Sequence, residues 1–463
     1  MTDGATSGPG GVEPGGAGAT ERRTLFSSRA AAVMATVGVA IGLGNFWRFP
    51  YLAGRFGGAA FVAFYVLCVV AIGVPAVMAE WTLGRETRRG PVGAYARAGL
   101  PFGRAAGWFF FVVVAAAMAY YSVAVGWVLA FAVGQAGAVI GARLDAAAVL
   151  PPDAGFEARS LALQVIASGV VLVAAAAVVA KGLRAGIERA SRLLVPALGA
   201  ILLLVIVRSL TLPGAGAGLS WYLFKVDWSG LTGRAMAAAL GQAIFSLSLG
   251  GTFMVVYGSY MNHDVDLRSS AVWHAFADTG AGLLAGLAIF PAVFALGLEP
   301  DSGPGLIFDT LPRVFDAMPG GALFGLLFFL ALLLGAFLAD VAALEVLVAG
   351  LTDTLGIDRR RAVRICLAIV FVLAVPPMIS MRIFVPWDLA FGSGVQTFGA
   401  LLAVVTVGWC LSRARALSHI AAADSRASGR FLLFWLRFVV PAGILLVWIW
   451  WALTDLLGVV TAA

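Results

Sequence analysis

Charged residues are scarce in this chain. Asp, Glu, Lys and Arg make up 12% of its 463 residues, whereas hydrophobic residues make up 61% and the mean hydropathy is +0.97. A soluble domain carries roughly 25% charged residues, about twice this share. The scarcity of charge therefore excludes a soluble globular protein and indicates a polytopic membrane protein.

Cysteine and histidine are also few. There are three residues of each type, and Cys68, Cys366 and Cys410 all fall within apolar segments. A disulfide framework or a Cys/His metal cluster is thereby disfavoured, and we interpret the cysteines as small core residues. The sequence shows no set of a nucleophile, a base and an orienting residue, so we expect a protein that is not an enzyme.

Long apolar segments are what the chain has in abundance. Eleven of them have the length of a membrane-spanning helix. They are residues 30–53, 58–83, 104–135, 159–180, 187–210, 232–261, 270–297, 321–351, 361–380, 387–411 and 430–455. We predict an all-α membrane protein with about eleven transmembrane helices, called spans 1 to 11 below.

The net charge of +7 is distributed unevenly between the loops. Arginines concentrate in alternate loops, and by the positive-inside rule these loops and the N-terminus are cytoplasmic. We expect the protein in the cell membrane, and an odd number of spans, eleven, places the C-terminus on the extracellular or periplasmic side. Membrane topology thus explains the basic residues without a nucleic-acid partner, and we expect no obligate protein partner. Residues 1–20 are rich in glycine and almost uncharged, so we expect residues 1–22 to form a disordered cytoplasmic tail rather than a signal peptide.

Span 1 is interrupted near its middle. Residues 38–50 carry three glycines together with Asn45 and Arg48, and each of these is costly in a continuous lipid-facing helix. Close helix packing through Gly38 and Gly42 would explain two of the glycines but neither polar residue. We therefore predict a broken helix beside a ligand cavity, because non-helical backbone at membrane depth needs such a setting.

Span 6 contains a second interruption. Residues 241–252 combine hydroxyl side chains with adjacent glycines, five spans after the first break. Breaks at matching positions of two halves point to a transporter binding site, and five spans invert the topology. We predict inverted repeats at 23–210 and 232–415, an extracellular connection at 211–231, and a cytoplasmic loop with span 11 at 416–463.

Several motifs resemble the neurotransmitter:sodium symporter family, and its prokaryotic branch in particular. The stretch 42–50, read GLGNFWRFP, is similar to the family's first-helix signature. Further matches occur in order along the chain at 57–61, 80–85, 120–121, 242–250 and 305–308. The resemblance covers residues 22–455 and implies the fold of the bacterial leucine transporter with alternating access.

The resemblance implies a substrate site for an amino acid at the two breaks. Backbone N–H groups and the Tyr121 hydroxyl would bind the carboxylate, and backbone carbonyls would bind the ammonium. Relatives that carry monoamines have an aspartate at the position of Gly42, so glycine favours substrates that bring their own carboxylate. Gly251 replaces a bulky aromatic residue of the leucine-selective relative, and the extra space this would leave in the pocket favours a large neutral side chain, aromatic ones included. The implied substrate residues are Ala40, Gly42, Leu43, Gly44, Ala117, Tyr121, Phe245, Ser246, Ser248, Gly251 and Ala343.

The family pattern also implies a first sodium site. Its ligands map to the Ala40 carbonyl, Asn45, Ser246 and Asp278. The family often has Asn where this chain has Asp278, and the extra carboxylate would replace the anion that chloride-dependent relatives bind. We therefore expect no chloride requirement. The alternative for Asp278 is a structural pair with His274, one helical turn away.

A second sodium site matches the family poorly. Gly38, Ile41 and Gly335 can offer backbone carbonyls, but the two hydroxyl positions of span 8 are Leu338 and Ala339. The neighbouring Asp340 is rotated by about 100° on an ideal helix. Either a bulge turns Asp340 inward, or this site binds no sodium and a proton on Asp340 substitutes for it.

Two gates and one buried acid complete the implied pattern. Arg48 and Asp388 match the outer gate. Arg23 and Asp353 match the cytoplasmic gate, with Tyr260 nearby. Glu80 is an ionisable group inside span 2, which we expect to be paired or protonated.

These features predict a sodium-coupled symporter of neutral amino acids. Two alternatives remain open from the residues alone. One is a proton-coupled amino-acid carrier, and the other is a non-transporting sensor or regulatory protein on the same scaffold.

Overall fold

The computed structural model describes residues 24–142, 144–300, 303–420 and 426–456. The predicted N-terminal tail and Arg23 therefore lie outside the described residues. Nine helices of the described residues are long and apolar enough to cross a membrane. They are Ala59–Thr87, Gly103–Val139, Ala158–Ala180, Leu183–Leu210, Leu267–Ala295, Gly321–Leu355, Arg359–Ile379, Met381–Cys410 and Ala427–Thr454.

The other two predicted spans are both broken. Span 1 consists of Arg29–Ala40 and Gly44–Arg55, which meet at an angle of 52°. Span 6 consists of Gly233–Ser246 and Phe253–Ser259, each too short to cross a bilayer alone. Shorter helices lie between the spans at Pro91–Arg97, Ala146–Val149, Ala215–Leu223, Trp228–Gly230, Gly303–Leu306, Thr310–Ala317 and Arg413–Ile420. The all-α class is confirmed, and the nine long helices with two broken ones among the described residues are consistent with about eleven spans.

The largest difference in boundaries concerns span 10. It begins at Met381, six residues before the predicted start, because a single extended residue, Ser380, separates it from span 9. A one-residue connection leaves no polar loop in the sequence for a hydropathy pattern to detect. The Pro376–Pro377 pair just before it ends span 9, since proline removes a helical donor.

The unwound part of span 6 is visible in its backbone angles. Ser248 and Thr252 have φ of 55° and 58°, a region that non-glycine residues seldom occupy, and Gly250 has φ of 85°. Span 2 packs closely against the second half of this span. A Cβ on Gly258 would lie 2.6 Å from the Cα of Trp81, and one on Gly84 would overlap the carbonyl oxygen of Val255. Small residues thus bring the two backbones into contact beside the break.

The loop helix Arg413–Ile420 is attached to the end of span 2 through His419. Its Nε2 lies 2.8 Å from a carboxylate oxygen of Glu86, and its Nδ1 accepts a hydrogen bond of 3.0 Å from Arg85 Nε. Because Nδ1 is an acceptor here, the ring is neutral and donates to Glu86 through Nε2. Burial lowers the pKa of His419, and the hydrogen bond to Glu86 partly opposes this effect.

Candidate functional site

Polar side chains satisfy the backbone groups that the two breaks expose. Glu80 of span 2 accepts a hydrogen bond of 2.7 Å from the Gly250 N–H. Gln242 donates to the Gly44 carbonyl at 2.9 Å, and Asn45 accepts from the Gly42 N–H at 3.0 Å. Buried backbone groups need such partners at membrane depth. The breaks are therefore built into the fold, and Glu80 has a structural partner on span 6.

A cavity of about 70 Å³ lies between the two breaks, enough for several water molecules. Spans 1, 3, 6, 8 and 10 enclose it. Its lining residues are Val39, Ala40, Gly42, Gly44, Ala117, Met118, Tyr120, Tyr121, Phe245, Ser246, Ser248, Phe253, Ala339, Ala343 and Gln396. The structure thus brings together nine of the eleven implied substrate residues.

The remaining two implied residues, Leu43 and Gly251, are not part of the lining. The Leu43 N–H donates to the Tyr121 hydroxyl at 3.1 Å, so its amide still contributes to the site. Gly251 instead faces the ring of Phe253, which a Cβ at that position would overlap. Phe253 thereby places an aromatic ring on the cavity wall, and the expectation of extra space next to Gly251 is wrong.

Gly42 leaves the space that the Tyr121 hydroxyl occupies. A Cβ on Gly42 would lie 2.5 Å from that oxygen and 3.5 Å from the Ala339 Cβ. The first distance is shorter than any normal contact, so a larger residue here would displace Tyr121. Since the hydroxyl accepts from Leu43, its own proton remains available to donate into the cavity.

Asn45, Ser246 and Asp278 form a buried polar cluster next to the cavity. Asn45 Nδ2 donates to Asp278 Oδ1 at 2.7 Å and to Ser246 Oγ at 3.2 Å. Ser246 Oγ lies 2.9 and 2.8 Å from the two Asp278 carboxylate oxygens. Asn45 and Asp278 are both completely buried, while the His274 ring packs edge-on against Trp81.

The cluster has the chemistry that a hard monovalent cation requires. Ser246 and Asp278 offer a hydroxyl and carboxylate oxygens, and an ionised Asp278 supplies the negative charge. The Asn45 amide would offer its oxygen after turning away from the Gly42 N–H, to which that oxygen is now bonded. Ala40, whose carbonyl was the fourth implied ligand, lines the adjoining cavity. The residues of the first implied sodium site therefore fit the ion.

The second implied set is arranged differently. Span 8 is helical without interruption from Gly321 to Leu355, so no bulge turns Asp340 toward span 1. Asp340 instead accepts a hydrogen bond of 2.9 Å from Ser122 of span 3. The Leu338 side chain lies 3.2 Å from the point where a Cβ of Gly38 would be. A methyl group of Leu338 thus lies close to Gly38, Asp340 is bonded to span 3, and these residues offer no side-chain oxygen to a sodium ion here.

The carbonyls of this second set also lie close to apolar side chains. A Cβ on Gly335 would lie 2.9 Å from the Ile41 carbonyl oxygen and 3.0 Å from the Leu198 side chain. Spans 1 and 8 are therefore in direct contact here. The Ile41 carbonyl thus lies next to Gly335, and span 8 adds no side-chain oxygen to it.

Arg48 lies against Phe245, a residue of the cavity lining. Its guanidinium carbon is 4.7 Å from the centre of the Phe245 ring, a cation–π distance. Asp388 of span 10 is within electrostatic range of Arg48 and of the Tyr120 hydroxyl. Gly392 leaves room for the Tyr120 hydroxyl and the Asp388 carboxylate, because a Cβ at this position would overlap the hydroxyl and lie close to the carboxylate. The structure thus brings the two implied outer-gate residues together over the cavity.

The opposite end of the molecule carries the implied inner gate. Asp353 accepts a hydrogen bond of 2.6 Å from the Gly90 N–H. Tyr260 donates to Glu345 at 2.6 Å, and Glu345 also forms an ion pair with Arg359. The Tyr260 carbonyl accepts from the Phe26 N–H at 3.0 Å. These contacts join the start of span 1, the end of span 6 and span 8.

Sequence reasoning missed Glu345, Phe253 and Gln396. Glu345 had a usable signal, since a carboxylate inside an apolar span is seldom without a role. Phe253 and Gln396 had none, because phenylalanine is abundant in the chain and Gln396 follows a run of small residues. Their positions depend on how span 6 resumes after its unwound segment and how span 10 packs on it.

Comparison with known proteins accounts for this geometry. The profile of the family described as "Sodium:neurotransmitter symporter family" matches residues 23–136 and 159–456. The chain belongs to this family. It is 31% identical over 454 residues to an uncharacterised sodium-dependent transporter of Haemophilus influenzae, covering 93% of this chain and 98% of that protein. It is also 31% identical to the sodium-dependent transporter YhdH of Bacillus subtilis, covering 95% and 99% respectively.

A solved structure of the same fold supports the prokaryotic branch of the symporter family. The crystal structure of MhsT in complex with L-phenylalanine superposes with a TM-score of 0.80 at 33% identity. The match covers 92% of this chain and 99% of MhsT. As a family member, the protein is a sodium-coupled symporter of a small-molecule substrate. It is a multi-pass membrane transporter rather than an enzyme.

Proposed function

We propose that the protein couples one sodium ion to the uptake of a neutral amino acid, aromatic ones included, without a chloride requirement. The observation that carries this proposal is the Asn45–Ser246–Asp278 cluster beside the cavity between the two breaks. The cluster supplies cation ligands and a balancing charge, and the cavity supplies the substrate site. The two share Ser246, so ion and substrate would stabilise each other's binding.

The proposed substrate class follows from the polar groups at the cavity. The Tyr121 hydroxyl and the backbone N–H of Gly44 are donors for a carboxylate, and the Leu43 N–H holds that hydroxyl in place by donating to it. Gly42 leaves no room for an acidic side chain that would pair with the amine of a substrate lacking a carboxylate. The phenylalanine bound to the related MhsT supports an aromatic side chain within the accepted range.

The proposed stoichiometry of one sodium ion follows from span 8. Leu338 lies against Gly38, and Asp340 is bonded to span 3, so the second ligand set offers backbone carbonyls without a side-chain oxygen or a negative charge. Chloride independence rests on Asp278. Its buried carboxylate can balance the charge of a sodium ion, so no external anion is needed to do so.

The proposed cycle is alternating access in a cell membrane, with the N-terminus cytoplasmic and the C-terminus outside. Sodium and substrate enter past Arg48 and Asp388, which then close above the site. Spans 1, 2, 6 and 7 rock against the others as the two inverted repeats exchange roles. Opening at the inner end would separate Asp353 and Tyr260 from their present partners.

Uptake of radiolabelled L-phenylalanine into proteoliposomes tests this function. We expect accumulation driven by an inward sodium gradient in chloride-free gluconate buffer, and little uptake when choline replaces sodium. Asn45→Ala should abolish the uptake that the sodium gradient drives. Thr36→Ala, which removes a buried hydroxyl from the same span away from the site, should preserve it.

Other results of this experiment would contradict the proposal. Uptake that persists without sodium and follows a pH gradient would identify a proton-coupled carrier, with Asp340 as the group to examine. Sodium-dependent binding without accumulation would indicate a sensor. A requirement for chloride would refute charge balance by Asp278.

A further inference from the structure

A second cavity, of about 350 Å³, shares no lining residue with the substrate site. Its wall is formed by the short helix Pro91–Arg97, the start of span 3 and the end of span 8. Three arginines line it, namely Arg89, Arg97 and Arg104. The transport mechanism proposed above uses none of them.

The positive charge of this cavity is only partly compensated. Asp353 is the one acidic residue of its lining, and its Oδ2 already accepts from the Gly90 N–H. Arg89 donates to the Asp353 backbone carbonyl at 3.4 Å rather than to the carboxylate. The described part of the chain places no carboxylate within ion-pair distance of Arg97 or Arg104. A cavity with this charge would attract an anion.

The surroundings of the cavity place it where the lipid-facing surface ends. Phe102, between Arg97 and Arg104 in sequence, is 89% exposed. Phe109 and Val112 continue an exposed apolar stripe along span 3 from the same end. The arginines therefore lie at the level of lipid headgroups, next to side chains that would contact acyl chains.

We propose that this cavity binds the phosphate of an anionic phospholipid headgroup. Arginine matches phosphate with paired N–H donors, and basic pockets at the ends of membrane helices recognise such headgroups. Phe102 would lie beside the acyl chains of the same lipid. The bound headgroup would hold together the loop at Gly90 and the end of span 8, where Asp353 lies. This site does not depend on which substrate the protein carries.

Thermal unfolding of the full-length protein in nanodiscs tests the proposal. One lipid mixture is phosphatidylcholine alone, and the other is equal parts of phosphatidylcholine and phosphatidylglycerol. We expect the anionic lipid to raise the Tm of the wild type. The double variant Arg97→Gln/Arg104→Gln should lose at least half of that increase, and Arg97→Lys/Arg104→Lys should keep most of it.

A matched control removes two arginines from the start of span 9. Arg361→Gln/Arg364→Gln deletes the same charge from exposed positions outside the cavity and should keep the full increase. Equal losses in both glutamine variants would overturn the proposal, because they would show a general charge effect. An undiminished increase in the cavity variant would also overturn it. A third arm adds inorganic phosphate to protein in detergent. A Tm increase as large as that from the lipid, lost in the cavity variant, would assign the cavity to a soluble anion instead.

Discussion

Replacement of Asp278 by asparagine isolates the charge of the proposed sodium site. Asn keeps the shape of the side chain and can still accept from Asn45 Nδ2 and Ser246 Oγ, but it carries no negative charge. Asp278 is completely buried, so water screens its charge little. A sodium ion held by the variant would then be a buried charge without a partner.

The size of the effect follows from the energy of buried charge pairs. Removal of one partner of such a pair costs about 3–5 kcal/mol. Since about 1.4 kcal/mol changes an equilibrium tenfold, sodium affinity should fall by roughly two to three and a half orders of magnitude. The assay is sodium titration of thermal stability in chloride-free gluconate buffer, with choline as the replacement cation. Chloride should restore part of the sodium affinity of the variant and leave the wild type unchanged.

Asp340→Asn is the matched control for this experiment. It removes a second completely buried carboxylate, but one that is bonded to Ser122 on span 3. Its sodium titration should coincide with that of the wild type. Unchanged sodium affinity in Asp278→Asn would refute the assignment of the first site. A large loss in Asp340→Asn would show that a second cation depends on Asp340.

Three further outcomes test other parts of the structure. Tyr121→Phe removes the acceptor of the Leu43 N–H and a donor to the substrate, so substrate Kd should rise about tenfold in a binding assay while sodium affinity is kept. Phe253→Ala opens the cavity wall and should shift competition binding toward bulkier amino acids. The pKa of His419 is lowered by burial below the usual 6.5, so the folded protein binds fewer protons than the unfolded chain. The neutral ring, whose Nδ1 accepts from Arg85, therefore stabilises the loop above about pH 6.5, and this contribution is lost as pH falls through the folded pKa. Hydrogen exchange of that loop should quicken in mild acid, and His419→Gln should remove this pH dependence.

Much of the fold could be predicted because the bilayer limits the possibilities. Backbone polar groups must be satisfied inside the membrane, so apolar segments of sufficient length are helices. The same constraint allowed the break in span 1 to be predicted from the sequence, since Asn45 and Arg48 are costly in a continuous helix. It did not reveal Ser380, where one extended residue turns the chain without any polar loop.

The site was predictable where the residue type itself carries the chemistry. Asn45 and Asp278 have few other uses at that depth, and they lie together as expected. Gly251 and Phe253 were not predictable in the same way. Residues 247–252 leave the helical path with positive φ at two non-glycine positions, so helical periodicity does not tell which side chain faces the cavity.

The Leu338 side chain on Gly38 has a consequence for how far the protein can concentrate its substrate. Moving one positive charge across a membrane potential of 100 mV releases about 2.3 kcal/mol. With one sodium ion per neutral substrate, that potential alone supports an inside-to-outside ratio of about 45-fold. Two ions would square this ratio to about two-thousandfold. A single leucine in span 8 would thereby lower the maximum concentration ratio below that of a two-sodium symporter. It would also halve the inward charge movement for each substrate molecule carried.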